Sequence, residues 1–312
     1  MIRTRFTELF DIEHPIMVAP MAGRTGGALA AAVADAGGFG AFGGVTLQGP
    51  EWISTQVEVV RASTDRPFGI GFITPFIEMM TPLYEAALAA KPDVIALSFS
   101  DPRPWLGQAK DAGARVICQV QTLADADTAV EAGADVLVAQ GNEAGGHTGT
   151  MGLLPFLAAV VARHPEVPVL AAGGIGDGRT LASALIAGAD GAWLGTAFLA
   201  TQECQIDEAY KDAVVASDGG DTVFTRAYDI ATGLAWPAGI GERVQRSSFT
   251  DEWDERERDL RADPVKPSDE PLLYGQSAAF VPAVRTAADV VHQISADAER
   301  VLRERPGAIL AG

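Results

Sequence analysis

The sequence predicts an α/β protein: a parallel (β/α)8 TIM barrel followed by a mostly helical and irregular C-terminal appendage. Three observations predict it. From Ile16 to Gly195, short apolar runs alternate with amphipathic, alanine-rich runs. Eight such repeats suit a closed parallel barrel better than an open sheet, and strand starts lie roughly 20 to 33 residues apart, within the size of that fold. The helical runs end in glycine stops such as Asp111-Ala112-Gly113 and Glu131-Ala132-Gly133, the chemistry of a helix C-terminus. A doubly wound sheet is the alternative, but the first apolar run is not followed by GxGxxG and a helix.

Taken in order, the expected strands are Ile16–Pro20, Phe39–Phe42, Phe68–Phe72, Val94–Phe99, Val116–Val120, Val136–Ala139, Val169–Ala172 and Gly191–Leu194. These read as continuous apolar runs, as strands buried on both faces do. The helical runs between them are Gly27–Ala36, Pro50–Ala62, Ile77–Ala90, Pro104–Ala112, Leu123–Ala132, Leu154–Arg163 and Thr180–Ala187. Thr196–Ala216 reads as helical, Asp221–Ile230 as a strand or extended segment, and Asp251–Leu260 as a surface loop or short helices before a proline-rich run. Thr286–Arg305 reads as a final amphipathic helix. The expected division is a barrel over residues 1–216 and an appendage over 217–312 that packs on it and could cover its mouth.

Composition limits the partners. A formal net charge of −18 on 312 residues argues against nucleic acid or an anionic membrane surface. It leaves room for a small anion held by backbone N–H groups. Cys118 and Cys204 form neither a disulfide framework nor a metal cluster. The histidines show no metal-ligand spacing, so no metal is expected. The N-terminus carries no apolar targeting stretch and no run approaches the roughly 18 apolar residues of a membrane span; a soluble cytoplasmic protein is expected. Association of identical chains is left open.

Barrel chemistry collects at the C-terminal ends of the strands. Among those ends, Asp135–Gly152 stands out: the apolar run Val136–Ala139 leads into a glycine-rich loop around His147. Small residues beside it, Gly145 and Gly146, allow another molecule to approach the backbone, and histidine titrates near neutral pH. The plainer reading is a loop histidine satisfied by a neighbouring carbonyl. The ends of the seventh and eighth strands, Ala172-Gly173-Gly174 and Gly195-Thr196, match the usual phosphate site of such barrels, with backbone N–H groups and one hydroxyl as donors. Gln119 and Gln121 share one face of the fifth strand. If that face is the lumen, one of them could bond a planar heterocycle; otherwise both are ordinary buried glutamines. Asp177 is expected to cap the following helix.

Pro15–Gly23 (PIMVAPMAG), Ala30–Gly44, Gly141–Gly149 (GNEAGGHTG), Ala171–Arg179 (AAGGIGDGR) and Gly195–Glu203 (GTAFLATQE) together resemble the nitronate monooxygenase family, formerly called 2-nitropropane dioxygenases. The resemblance covers about residues 5 to 205 and implies an FMN-dependent barrel. It implies that Pro20, Met21 and Ala22 lie against the flavin ring and that Gln119 lies near its N1–C2 carbonyl edge. Gly145 and Gly146 would leave space beside the ring. Ala172, Gly173, Gly174, Gly195 and Thr196 would hold the phosphate, and His147 would be the catalytic histidine. Three positions depart from the pattern. Gly71 stands where many relatives have asparagine, Thr148 follows the histidine where it could reshape the substrate pocket, and Ala197 replaces an arginine beside the phosphate.

The implied reaction is oxidation of an alkyl nitronate or nitroalkane with O2 to a carbonyl compound and nitrite. Two relatives share the frame, flavin-dependent enoyl-acyl-carrier-protein reductases and NADH:quinone reductases, so an NAD(P)H-dependent flavin reductase is the second reading. A flavin-free barrel binding a sugar phosphate is the third. The lack of an evident acid–base pair at the strand ends counts against that one.

Overall fold

The computed structural model describes residues 1–267 and 269–310; Ser268, Ala311 and Gly312, which belong to the expected appendage, lie outside the described residues. Eight strands form one sheet: β1 (Ile16–Val18), β2 (Gly40–Gly43), β3 (Phe68–Ile73), β4 (Val94–Ser98), β5 (Arg115–Val120), β6 (Val136–Gln140), and, beyond a short strand β7 (Gly146–Thr148), β8 (Val169–Ala172) and β9 (Gly191–Leu194). The order is β1-β9-β8-β6-β5-β4-β3-β2 with every neighbour parallel, and a parallel bridge between Met17 and Phe39 brings β2 back to β1. The sheet is a TIM barrel. Its strands are buried on both faces, with Ile16, Ile70, Ile95, Ile117, Val138 and Leu170 fully enclosed, which is why they read as unbroken apolar runs.

Helices follow the strands where the alanine-rich patterns lie, including Gly27–Asp35, Pro50–Ser63, Leu123–Ala132, Leu153–Arg163 and Gly178–Ile186. Thr122 and Asp177 each close a capping box at a helix start, which satisfies donors the helix itself cannot. A helix at Arg5–Phe10, not expected from the sequence, lies near the barrel's N-terminal face. Arg5 makes a paired bond to Asp190 at 2.9 and 2.7 Å, and Asp190 also accepts from the N–H of Val169.

The stretch after β9 departs from the simple expectation. Thr196–Ala216 holds two helices, Thr196–Leu199 and Glu208–Ala216, instead of one. Within Asp221–Ile230 only Thr222–Thr225 is a strand, β10; the chain then coils into the helix Ala227–Thr232. Two short helices, Ser248–Trp253 and Glu257–Ala262, occupy the charged stretch. The final helix, Ala287–Leu310, packs on Gly178–Ile186 and on Gly27–Asp35. By its contacts it sits in the barrel's outer ring, filling the place between the helices after β8 and after β1.

A second sheet places the site. β10 and β11 (Gly241–Gln245) run antiparallel, and β11 pairs on its other edge with β7, in the loop after β6. The loop expected around His147 is therefore a strand, formed because a segment about 95 residues later docks beside it in the register Glu242 opposite His147. Arg243 fastens this joint: its Nε donates to the carbonyl of Asn142 at 2.7 Å and a terminal nitrogen to Thr222 at 3.2 Å.

Candidate active site

A cavity of about 300 Å³ opens at the C-terminal ends of the barrel strands, in the usual size range of a small-molecule site. Its wall includes Pro20, Met21 and Ala22 after β1, Gln119 on β5, and Gly145, Gly146 and His147 after β6. Ala172 and Gly173 after β8 and Gly195 and Thr196 after β9 complete the expected set. Of the residues expected to touch the flavin or the substrate, Gly174 alone lies off this wall; it lines an outer hollow with Glu143, Leu153 and Thr180.

The loops are fixed by bonds the sequence encodes locally. Thr25 donates to the Met21 carbonyl and accepts from the N–H of Gly43, which ties the turn after β1 to β2. Gln121 donates to Gln140 at 2.8 Å, and Gln140 donates to the carbonyl of His147 at 3.0 Å. Gln121 is therefore a brace, whereas Gln119 faces the cavity. The structure also places the three departures noted from the sequence. A Cβ on Gly71 would stand 2.2 Å from Cγ of Pro20, so the close approach of β3 to the turn after β1 requires glycine. Thr148 does not reshape the cavity: it is fully buried and donates to the carbonyl of Gly141. Ala197 is buried in the core.

The fit to a flavin mononucleotide rests on what these groups leave open. Gln119 is 8% exposed and its Oε1 has no hydrogen-bond partner, an orphaned acceptor facing a cavity. Nothing stands within 4 Å of where a Cβ of Gly146 would be. Gly173 and Gly174 have φ of +100° and +67°, backbone that glycine adopts without a Cβ penalty, and Gly173 brings that backbone to the cavity wall. Thr196 Oγ accepts from the N–H of Gly275 at 2.9 Å, so its own proton is free for an acceptor. The helix that follows β8 is capped by Asp177, so its N-terminus already faces a carboxylate and adds little to an anion site. These residues fit the group.

His147 is not satisfied by a carbonyl. Its Nε2 lies 3.0 and 3.1 Å from the two carboxylate oxygens of Asp229, a residue of the helix Ala227–Thr232 that is 6% exposed. Trp236 stacks on the imidazole with centroids 3.5 Å apart and planes 14° from parallel, and Phe99 meets both rings edge-on. Phe99 adopts φ +76°, a costly conformation for a bulky residue that clusters at functional sites. Glu242, 3% exposed, is the third group; single ligating atoms of His147, Asp229 and Glu242 all lie within 4.8 Å of one another. Burial, then the charge of Asp229, pushes the Glu242 carboxyl up to about 8, against an opposing pull from Arg24.

Sequence reasoning missed Asp229, Trp236, Phe99 and Glu242. The one local signal was a tryptophan beside a proline in the short glycine-bounded stretch Gly233–Gly239. Asp229 and Glu242 had none, because only the pairing of β11 with β7 brings them to His147.

The model of the nitronate monooxygenase family matches residues 3–293. A nitronate monooxygenase of Paraburkholderia phytofirmans is 33% identical over 85% of this chain and 80% of its own length. FabK from Thermotoga maritima superposes with a TM-score of 0.84 at 29% identity, covering 99% of this chain and all of its own. A nitroalkane oxidase from Streptomyces ansochromogenes superposes with a TM-score of 0.75 at 28% identity, covering 97% and 99%. No helix among the described residues is long and apolar enough to cross a membrane. With its barrel, its cavity and these relatives, the chain belongs to the nitronate monooxygenase family and is a flavin-dependent oxidoreductase.

Proposed function

We propose that this enzyme binds FMN and oxidises alkyl nitronates, and the nitroalkanes that give rise to them, with O2 to a carbonyl compound and nitrite. One observation carries the reading: a histidine on the cavity wall is held by a buried carboxylate through one ring nitrogen only. Gln119 and the glycines after β6 would hold the flavin ring, and Ala172, Gly173, Gly195 and Thr196 the phosphate. FMN, when bound, supplies the electron transfer between the organic substrate and O2.

The chain's own part is proton handling and shielding. Asp229 accepts from Nε2–H of His147, which fixes the tautomer and leaves the lone pair on Nδ1, a nitrogen with no partner among the described residues. Nδ1 then takes the α-proton of a neutral nitroalkane as general base. The imidazolium so formed is stabilised by Asp229 and sits beside the nitro oxygens of the resulting anion. Trp236 and Phe99 cover the imidazole with apolar surface, which excludes water and strengthens that interaction. The cytoplasmic location expected from the sequence belongs with this reading.

The second reading, a reductase drawing on NAD(P)H, has one observation in its favour: the higher TM-score is with FabK. Two mixings separate them. Aerobic mixing with an alkyl nitronate should consume O2 and release nitrite with the carbonyl product, while anaerobic NAD(P)H should leave the flavin oxidised. Rapid bleaching by NAD(P)H with no nitrite from the nitronate would establish the reductase instead.

A further inference from the structure

Beside His147 two buried carboxylates, Asp229 and Glu242, stand together. β11 is the middle strand of its sheet, so Glu242 lies opposite His147 on one side and opposite Thr225 on the other. Cross-strand partners share a face, which aims Glu242 at the same ground as the imidazole. Glu242 is 3% exposed, its Oε1 has no partner, and no lysine or arginine nitrogen among the described residues lies within 4.0 Å of its carboxylate. The groups that act on it are Asp229 and Tyr228 from the helix Ala227–Thr232, His147 from β7, and Arg24 from the loop after β1.

Two ionised carboxylates this close and this buried repel each other, and among the described residues neither has a lysine or arginine nitrogen within 4.0 Å, Arg24 acting on Glu242 from farther off. The arrangement is relieved when the pair holds a proton. Asp229 already serves as acceptor for the imidazole N–H, so the proton rests on Glu242. We propose that Glu242 and Asp229 together hold one proton beside His147, Asp229 orienting the ring and the Glu242 proton setting how strongly basic that ring is. Glu242 touches no substrate; it is a positioning residue acting through its neighbours. While it is protonated the cluster carries one negative charge, and when the proton leaves, a second charge faces the imidazole and makes it a stronger base. The raised affinity of Glu242 for its proton agrees with this. The proposal rests on His147 being the base of the reaction.

Histidine-labelled holoenzyme, with the His147 signals identified by their loss in His147→Asn, reports the coupling without any turnover. In the wild type the His147 ring shifts should show their own inflection and a second one near the pH where Glu242 ionises. Glu242→Gln should keep the first inflection and lose the second, while the signals of the other three histidines stay in place. The infrared carbonyl stretch of the wild type, read between pH 6 and 9, does not depend on the variant folding. A protonated carboxylic acid band should fade as the pH rises through about 8. Superimposable titration curves for wild type and Glu242→Gln, or no protonated acid band at pH 6, would overturn the proposal. So would one equivalent of a divalent metal in the purified protein together with His147 signals that titrate only after a chelator, because a cation would then occupy the place of the proton. Unchanged nitroalkane turnover in His147→Asn would instead remove the base reading and leave the measured coupling intact.

Discussion

The two carboxylate oxygens of Asp229 meet Nε2 of His147 at 3.0 and 3.1 Å across 82 residues of chain. The histidine comes from the barrel and the carboxylate from the segment that follows it, so the site is complete only when the small antiparallel sheet has docked. The stretch after the barrel thus supplies the partner of His147 and, in Trp236, part of the cavity wall.

Replacing Asp229 by asparagine keeps the shape but lets Nε2 accept instead of donate, which puts the proton on Nδ1. Turnover of neutral nitroalkane should fall by about 10² to 10⁴, as for other bases that lose their orienting carboxylate. Flavin content should be unchanged, because Asp229 is not on the cavity wall. Steady-state rates with flavin quantified in the same sample check this; an unchanged rate would make the pair merely structural.

Gly71→Ala tests the close approach of β3 to the turn after β1. The added Cβ would meet the Pro20 ring at 2.2 Å, and both partners are rigid. Overpacking of this kind costs about 1–3 kcal/mol, read as a lower melting temperature. Because Pro20 is on the cavity wall, weaker flavin retention on gel filtration should accompany it.

The pH dependence of stability follows from Glu242. In the fold its carboxyl keeps its proton up to about 8, against about 4.3 for an exposed glutamate. Between those values the folded chain binds more protons than the unfolded chain, so stability falls as the pH rises. The contribution is complete below the lower value and gone above the upper one, and is on the order of a few kcal/mol. Melting temperatures from pH 5 to 8 should therefore fall more steeply for the wild type than for Glu242→Gln. Parallel slopes would show that Glu242 is ionised throughout.

The barrel was legible because each strand is enclosed on both faces and so appears as an apolar run. Val169–Ala172 and Gly191–Leu194 agree residue for residue with expectation. The position of His147 on the cavity wall was legible because it follows a buried strand within a glycine-rich run. The partners of His147 were not, since their placement depends on a three-residue strand, Gly146–Thr148, that has no apolar alternation and exists through its pairing with Gly241–Arg243. The extended reading of Asp221–Ile230 erred for a related reason. β10 ends at Thr225, whose Oγ accepts from the N–H of Ala227 as the chain turns into the helix carrying Asp229. Gly174, expected at the phosphate, lines the outer hollow together with Gly173, whereas Gly173 also reaches the cavity wall.

The most direct measurement compares His147→Asn with the wild type on two forms of one substrate, the neutral nitroalkane and the preformed nitronate, at equal flavin content. If His147 is the general base, turnover of the neutral form falls by about 10² to 10⁴, while the nitronate, whose α-proton is already gone, is oxidised at a far less affected rate. Equal losses on both forms, or no loss on either, would contradict the account.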